Sequence, residues 1–151
     1  MAVSTPDRTR RPPYLRPSLV GLVVLGGTMG TALRDRIETV FATPAGGLPW
    51  ATLTINVTGA FLLGVLLEVL ALVAPEGNRR RGLQLTFGTG LLGGYTTYST
   101  FVVEIVNLGR HGSVPLAAIY AAGSVLAGFT AALLAMSVTR AAVRATWKDT
   151  P

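Results

Sequence analysis

The sequence predicts an all-α membrane protein of four transmembrane helices, the third of them broken in mid-membrane. Three observations carry that prediction. Only 13% of the 151 residues are charged and half are hydrophobic, whereas a soluble domain carries about a quarter charged residues. Four apolar segments are separated by short loops rich in proline, glycine and charge. The centre of the third combines paired glycines with a cluster of hydroxyls.

Met1–Pro17 holds Arg8, Arg10, Arg11 and Arg16 together with four prolines. With almost no apolar surface to offset ordering entropy, it reads as a disordered basic tail. Ser18–Leu33 follows, glycine-rich at Gly21, Gly26, Gly27 and Gly30. It has no convincing cleavage site and runs on into charged residues, so it reads as an uncleaved first span rather than a signal peptide. Crossing about 30 Å of hydrocarbon takes about 20 residues, so this span recruits Thr31 and the stem of Arg34. Pro44, Gly46, Gly47 and Pro49 punctuate the first loop, and Trp50 is placed as an interfacial anchor.

The second span runs from Trp50 to about Ala74, the third from Leu83 to about Leu108 and the fourth from Val114 to about Val138. Continuous apolar runs of this length are helices, because lipid offers no partner to an open backbone. Pro75, Gly77 and Asn78 form the second loop, and Gly109–Ser113 the third. The domain organisation is therefore a tail at 1–17, a four-helix transmembrane domain at 18–139 and a basic C-terminal tail at 140–151.

Within the third span, Gly88, Gly90, Gly93 and Gly94 precede Thr96, Thr97, Ser99 and Thr100, which lie between Tyr95 and Phe101. Each glycine weakens a helix by about 1 kcal/mol against alanine. Close helix packing accounts for the glycines but leaves the hydroxyls unexplained; a break in the helix accounts for both. Irregular backbone at membrane depth survives only inside protein or along an aqueous path. Its carbonyls can hold a cation, and an oxygen-liking ion fits a stretch without carboxylate, thiol or imidazole.

Three motifs give the chain a family resemblance. Gly26-Gly27-Thr28-Met29-Gly30-Thr31-Ala32-Leu33-Arg34 is similar to GGxxGAxxR, Thr52 to Gly64 to TLxVNxxGxFxxG, and Gly90 to Phe101 to GxxGGxTTFSTF. In this order, in a chain of this length, they resemble the Fluc/CrcB fluoride channels along nearly the whole sequence apart from the tails. The resemblance implies an antiparallel dimer that exports cytoplasmic fluoride down its gradient and so limits its toxicity. It implies a structural sodium ion, not transported, on the backbone carbonyls of Gly93 and Thr96. It places Asn56, Tyr98, Phe101, Tyr120 and Ser124 along the fluoride pathway.

The chemistry of these residues agrees. Fluoride is small and strongly hydrated, so its path must offer donors in place of water. Asn56 has an amide; Thr52, Tyr120 and Ser124 have hydroxyls. Thr52 and Asn56 are four residues apart, as are Tyr120 and Ser124, so each pair shares a helix face. Phe101 offers the positive edge of a ring without holding the ion so firmly that conduction stops. Arg34 suits an anion-gathering vestibule.

Each position also has a plainer reading. Asn56 fits a hydrogen bond to a neighbouring helix, Phe101 lipid-facing bulk, Arg34 a snorkelling span boundary, and Tyr120 and Ser124 ordinary helix contacts. Glu68 and Glu104 read as interfacial and His111 as a solvated loop residue. The family pattern is also departed from at Tyr98, where a phenylalanine is usual, at Thr31, at Asp35 and at Gly128.

Other classes fit less well. A small multidrug-type exporter needs a carboxylate in its first span, and Ser18–Leu33 has none. An accessory subunit without transport of its own is the other alternative. With no cysteine, one histidine and no clustered carboxylates, no enzyme is expected. The net charge of +6 lies between and outside the spans, where anionic headgroups account for it better than nucleic acid.

With four spans, one side carries Arg8, Arg10, Arg11, Arg16, Arg79, Arg80, Arg81, Arg140, Arg144 and Lys148, and the other only Arg34, Arg36 and Arg110. The positive-inside rule puts both termini in the cytoplasm of a multi-pass cell-membrane protein. Ten to three of 13 basic residues is too uneven for insertion both ways. The expected partner in the antiparallel dimer is therefore a second homologous subunit of opposite orientation, a paralogous chain.

Overall fold

The computed structural model describes residues 17–42 and 47–148. The predicted basic tail up to Arg16, Pro44 and Gly46 of the first loop, and the last three residues lie outside the described residues. The described residues are helical, without strands: α1 Pro17–Val40, α2 Trp50–Val73, α3 Asn78–Leu83, a π-helical stretch Gln84–Leu92, α4 Gly93–Tyr95, α5 Tyr98–Arg110 and α6 Val114–Lys148. Three of these, α1, α2 and α6, are long and apolar enough to cross a membrane. Large apolar side chains on them face outward, among them Val24, Leu25, Met29, Leu126, Phe129 and Leu134. Water would not tolerate that surface, and lipid would.

α1 exceeds its expected length. It continues past Leu33 through Arg34, Asp35, Arg36 and Glu38 to Val40, about 36 Å at 1.5 Å per residue. Arginine and glutamate are good helix formers, so the end of an apolar stretch does not mark the end of a helix. The same physics extends α6 beyond Val138. The predicted C-terminal tail is helical through Lys148, carried by Ala141, Ala142, Ala145 and the arginines. At the second loop, Asn78 begins α3 instead of belonging to the turn, and Arg79–Arg81 lie within that helix.

α1 packs against the π-helical stretch and α4; α2 packs most extensively against α6, and α5 also lies on α6. Backbone meets backbone in the first of these contacts. A Cβ on Gly30 would fall on the carbonyl of Leu91, and one on Gly90 would come 2.9 Å from the carbonyl oxygen of Val23. The glycines thus serve close packing, as small residues do between membrane helices, and the break is a separate feature a few residues on. One buried cluster joins Ile55, Leu92 and Tyr95; a second joins Leu108, Ala117 and Tyr120, with Phe101 against it.

Glu68 is not an open interfacial residue. It is buried, and Arg140 Nε donates to its Oε1 at 2.7 Å, tying α6 to α2. His111 is exposed just after α5, its Nδ1 2.7 Å from the Asn107 carbonyl oxygen.

Candidate functional site

The chain leaves the helix at Thr96 and Thr97, whose backbones are extended (φ −74°, ψ 155° and φ −142°, ψ 124°). Thr97 then caps α5: its Oγ1 accepts from the backbone N–H of Thr100 at 3.2 Å, the role expected of a threonine at that position. Thr97 N–H, which in an unbroken helix would bond to Gly93 O, instead reaches Asn56 Oδ1 at 2.9 Å. Asn56 Nδ2 in turn donates to Thr97 O at 2.9 Å. Gly93 and Thr96 therefore both lose their helical donors, those of Thr97 and Thr100.

Two carbonyls at the break are approached from α1. Thr31 Oγ1 donates to Gly94 O, and Arg34 Nη1 to Thr96 O, each at 3.4 Å. Approach from α2 depends on Gly59, where a Cβ would fall on Thr96 Cγ2. A glycine there brings the break against α2, and Asn56, one turn earlier on the same helix, meets Thr97.

A cavity of about 420 Å³ opens at this junction between α2, the break and α6. Asn56, Gly93, Thr96, Tyr98, Phe101 and Ser124 all line it, with Gly128 beside them. Ser124 Oγ is buried without a hydrogen-bond partner among the described residues. The Tyr98 and Phe101 ring centroids are 6.2 Å apart, and Tyr98 is 79% exposed. Behind Phe101 lies Tyr120, buried, with ring centroids 5.4 Å apart.

Of the residues singled out in the sequence, six share the cavity. Tyr120 stands one layer behind it, and Arg34 reaches the break from the α1 side. Two participants escaped sequence reasoning. Glu104, expected at the interface, is half-buried and accepts from Thr52 Oγ1 and Tyr120 Oη, each at 2.7 Å. Its spacing of three from Phe101 on α5 was the available signal. Thr97, singled out only as part of the hydroxyl cluster, is the other: nothing in one sequence pairs residue 97 with residue 56.

Chemically, the site offers amide and hydroxyl donors and ring edges to an anion on the cavity side, and backbone carbonyls to a cation at the break. Among the described residues, no histidine, cysteine or lysine lines the cavity.

Comparison with known proteins identifies the family. The family model described as CrcB-like protein, Camphor Resistance (CrcB), matches residues 21–136. The Fluoride-specific ion channel FluC of Novosphingobium aromaticivorans is 43% identical over 121 residues, covering 78% of this chain and 93% of that protein. FluC 2 of Nocardia farcinica is 42% identical over 130 residues, covering 86% and 91%. FluC 1 of Cutibacterium acnes is 53% identical over 89 residues, a match spanning 59% of this chain and 62% of that protein's length. On the family match and these relatives, the chain belongs to the CrcB-like family of membrane proteins.

Proposed function

We propose that this chain is one subunit of a fluoride-selective channel that lets cytoplasmic fluoride leave down its electrochemical gradient. The observation that carries the reading is the single cavity gathering Asn56, Tyr98, Phe101 and Ser124 beside the break. The relatives named as fluoride-specific channels support it. Fluoride gives up water only where other donors stand in. Asn56 and Ser124 offer N–H and O–H, and the Phe101 edge is weakly positive. Among the described residues, no lysine or arginine side chain lines the cavity, so an ion that enters can leave. Arg34 gathers anions near the mouth. Transport needs no enzyme chemistry.

The stretch from Asn78 to Arg110 supplies the fourth crossing in this reading, with the break at membrane depth. Buried irregular backbone beside a polar cavity is the setting in which lipid tolerates it. The carbonyls of Gly93 and Thr96 have lost their helical donors and would hold a hard monovalent cation, which at Thr96 O would take the place of the long Arg34 contact of 3.4 Å. A sodium ion held there supplies a fixed positive charge at the junction of two subunits. The large exposure of Tyr98 supports a second homologous subunit covering this face, antiparallel to the first.

The ten-to-three division of basic residues favours cytoplasmic termini in the cell membrane and a paralogous partner of opposite orientation. Tyr98 and Gly128 then reflect a division of labour between the two chains. Fluoride efflux from liposomes containing the pure protein, followed with a fluoride electrode, tests the channel reading.

A further inference from the structure

We propose that Asn56 is the positioning residue of the break: its carboxamide serves Thr97 as a one-residue strand partner, and that pairing leaves a single amide N–H directed to the cavity. The identity of the ion rests on the channel reading; the pairing does not.

The argument starts from the Thr97 backbone. At φ −142° and ψ 124° the residue is in the β region, where its own N–H and C=O point to the same side, as in an antiparallel ladder. Both have left the helix, and Thr97 is only 5% exposed, so neither is left to water. An unpaired buried peptide group is costly. Asn56 satisfies both at once, at 2.9 Å each.

The pairing also settles which way the carboxamide faces. Reversed, its nitrogen would meet the Thr97 N–H and its oxygen the Thr97 C=O, and both contacts would repel. A carboxamide nitrogen carries two N–H bonds. The one on the same side as Oδ1 is taken by Thr97 O. The other, on the Cβ side, is the only donor Asn56 has left, and Asn56 lines the cavity. An anion there meets one donor of fixed direction, already oriented before the ion arrives.

The pairing has a second effect. By taking the N–H of Thr97, Asn56 removes the helical donor of Gly93 O. The same side chain thus shapes the anion-facing and the carbonyl-rich faces of the break.

The test is solution NMR of the full-length channel in nanodiscs, labelled with ¹⁵N at asparagine and threonine. In the wild-type protein without fluoride, the Thr97 amide exchanges as slowly as its helical neighbours. Of the two Asn56 carboxamide protons, the one beside Oδ1 exchanges slowly and the other does not. Fluoride titration moves the second proton and leaves the first in place. Asn56→Ala speeds Thr97 exchange by about tenfold or more, as loss of a local hydrogen bond does. Asn56→Asp keeps at most part of the protection: its carboxylate still accepts from Thr97 N–H but sets its second oxygen against Thr97 C=O.

Equal Thr97 exchange in wild type and Asn56→Ala, or two equivalent carboxamide protons, would overturn the proposal. Should Asn56→Ala fail to fold, the wild-type asymmetry decides alone. Slow exchange with no response to fluoride would uphold the pairing and contradict the channel reading. A fluoride response without protection would do the reverse.

Discussion

Tyr120 donates its hydroxyl to Glu104 at 2.7 Å, and the second oxygen of that carboxylate accepts from Thr52 at 2.7 Å. α2, α5 and α6 are joined at this point, directly behind the ring of Phe101. Tyr120 and Thr52 are 3% and 1% exposed, so neither hydroxyl can turn to water. Glu104→Ala would strand both, and a stranded buried group costs about 1–3 kcal/mol. A lowered thermal midpoint of the purified protein is expected, with a smaller loss in Glu104→Gln, whose amide can still accept and donate. Unchanged midpoints in both variants would contradict the structural role.

Phe101 stands between the cavity and Tyr120. Phe101→Ile keeps apolar bulk and removes the ring edge. Fluoride flux should fall by about tenfold, the order of one aromatic contact of about 1.4 kcal/mol. Gel filtration should show assembly unchanged. Full flux in the variant would make the ring a packing element only.

Replacing sodium on both sides of the membrane by N-methylglucamine should abolish flux. That cation is too large for the cation site proposed at the Gly93 and Thr96 carbonyls. Activity retained after exhaustive sodium removal would refute the cation site.

Single cysteines introduced as Ser4→Cys and His111→Cys, probed with an impermeant thiol reagent in intact cells, report orientation. With the chain expressed alone, labelling is expected at position 111 and not at position 4. Substantial labelling at both would demonstrate insertion both ways and defeat the paralogous-partner reading.

Much of this arrangement was legible in one sequence, and the rest was hidden for definable reasons. The hydroxyl run from Thr96 to Thr100 announced a break because helix propensity is local. The π-helical stretch at Gln84–Leu92 was not announced; it lies in backbone contact with Gly26 and Gly30 of α1, a pairing that one sequence does not reveal. Apolar segments placed the helices but misjudged the ends of α1 and α6, where charged residues and alanine carry the helix onward. Glu68 and Glu104 were assigned to the interface by position along the chain. Their partners, Arg140 for one and Thr52 with Tyr120 for the other, come from different helices, and a carboxylate's setting depends on those partners. Asn56 fitted both a pathway donor and a bond to a neighbouring helix. The structure provides that bond at Thr97, and the amide retains a second N–H.

The most direct test of the central claim is ion efflux from liposomes holding the purified protein, with its partner chain co-expressed if one is required. Fluoride and chloride are measured with selective electrodes under matched gradients. Rapid fluoride release with chloride retained is the predicted result. Equal release of both ions, or no fluoride release from an assembled dimer in sodium, would contradict the account.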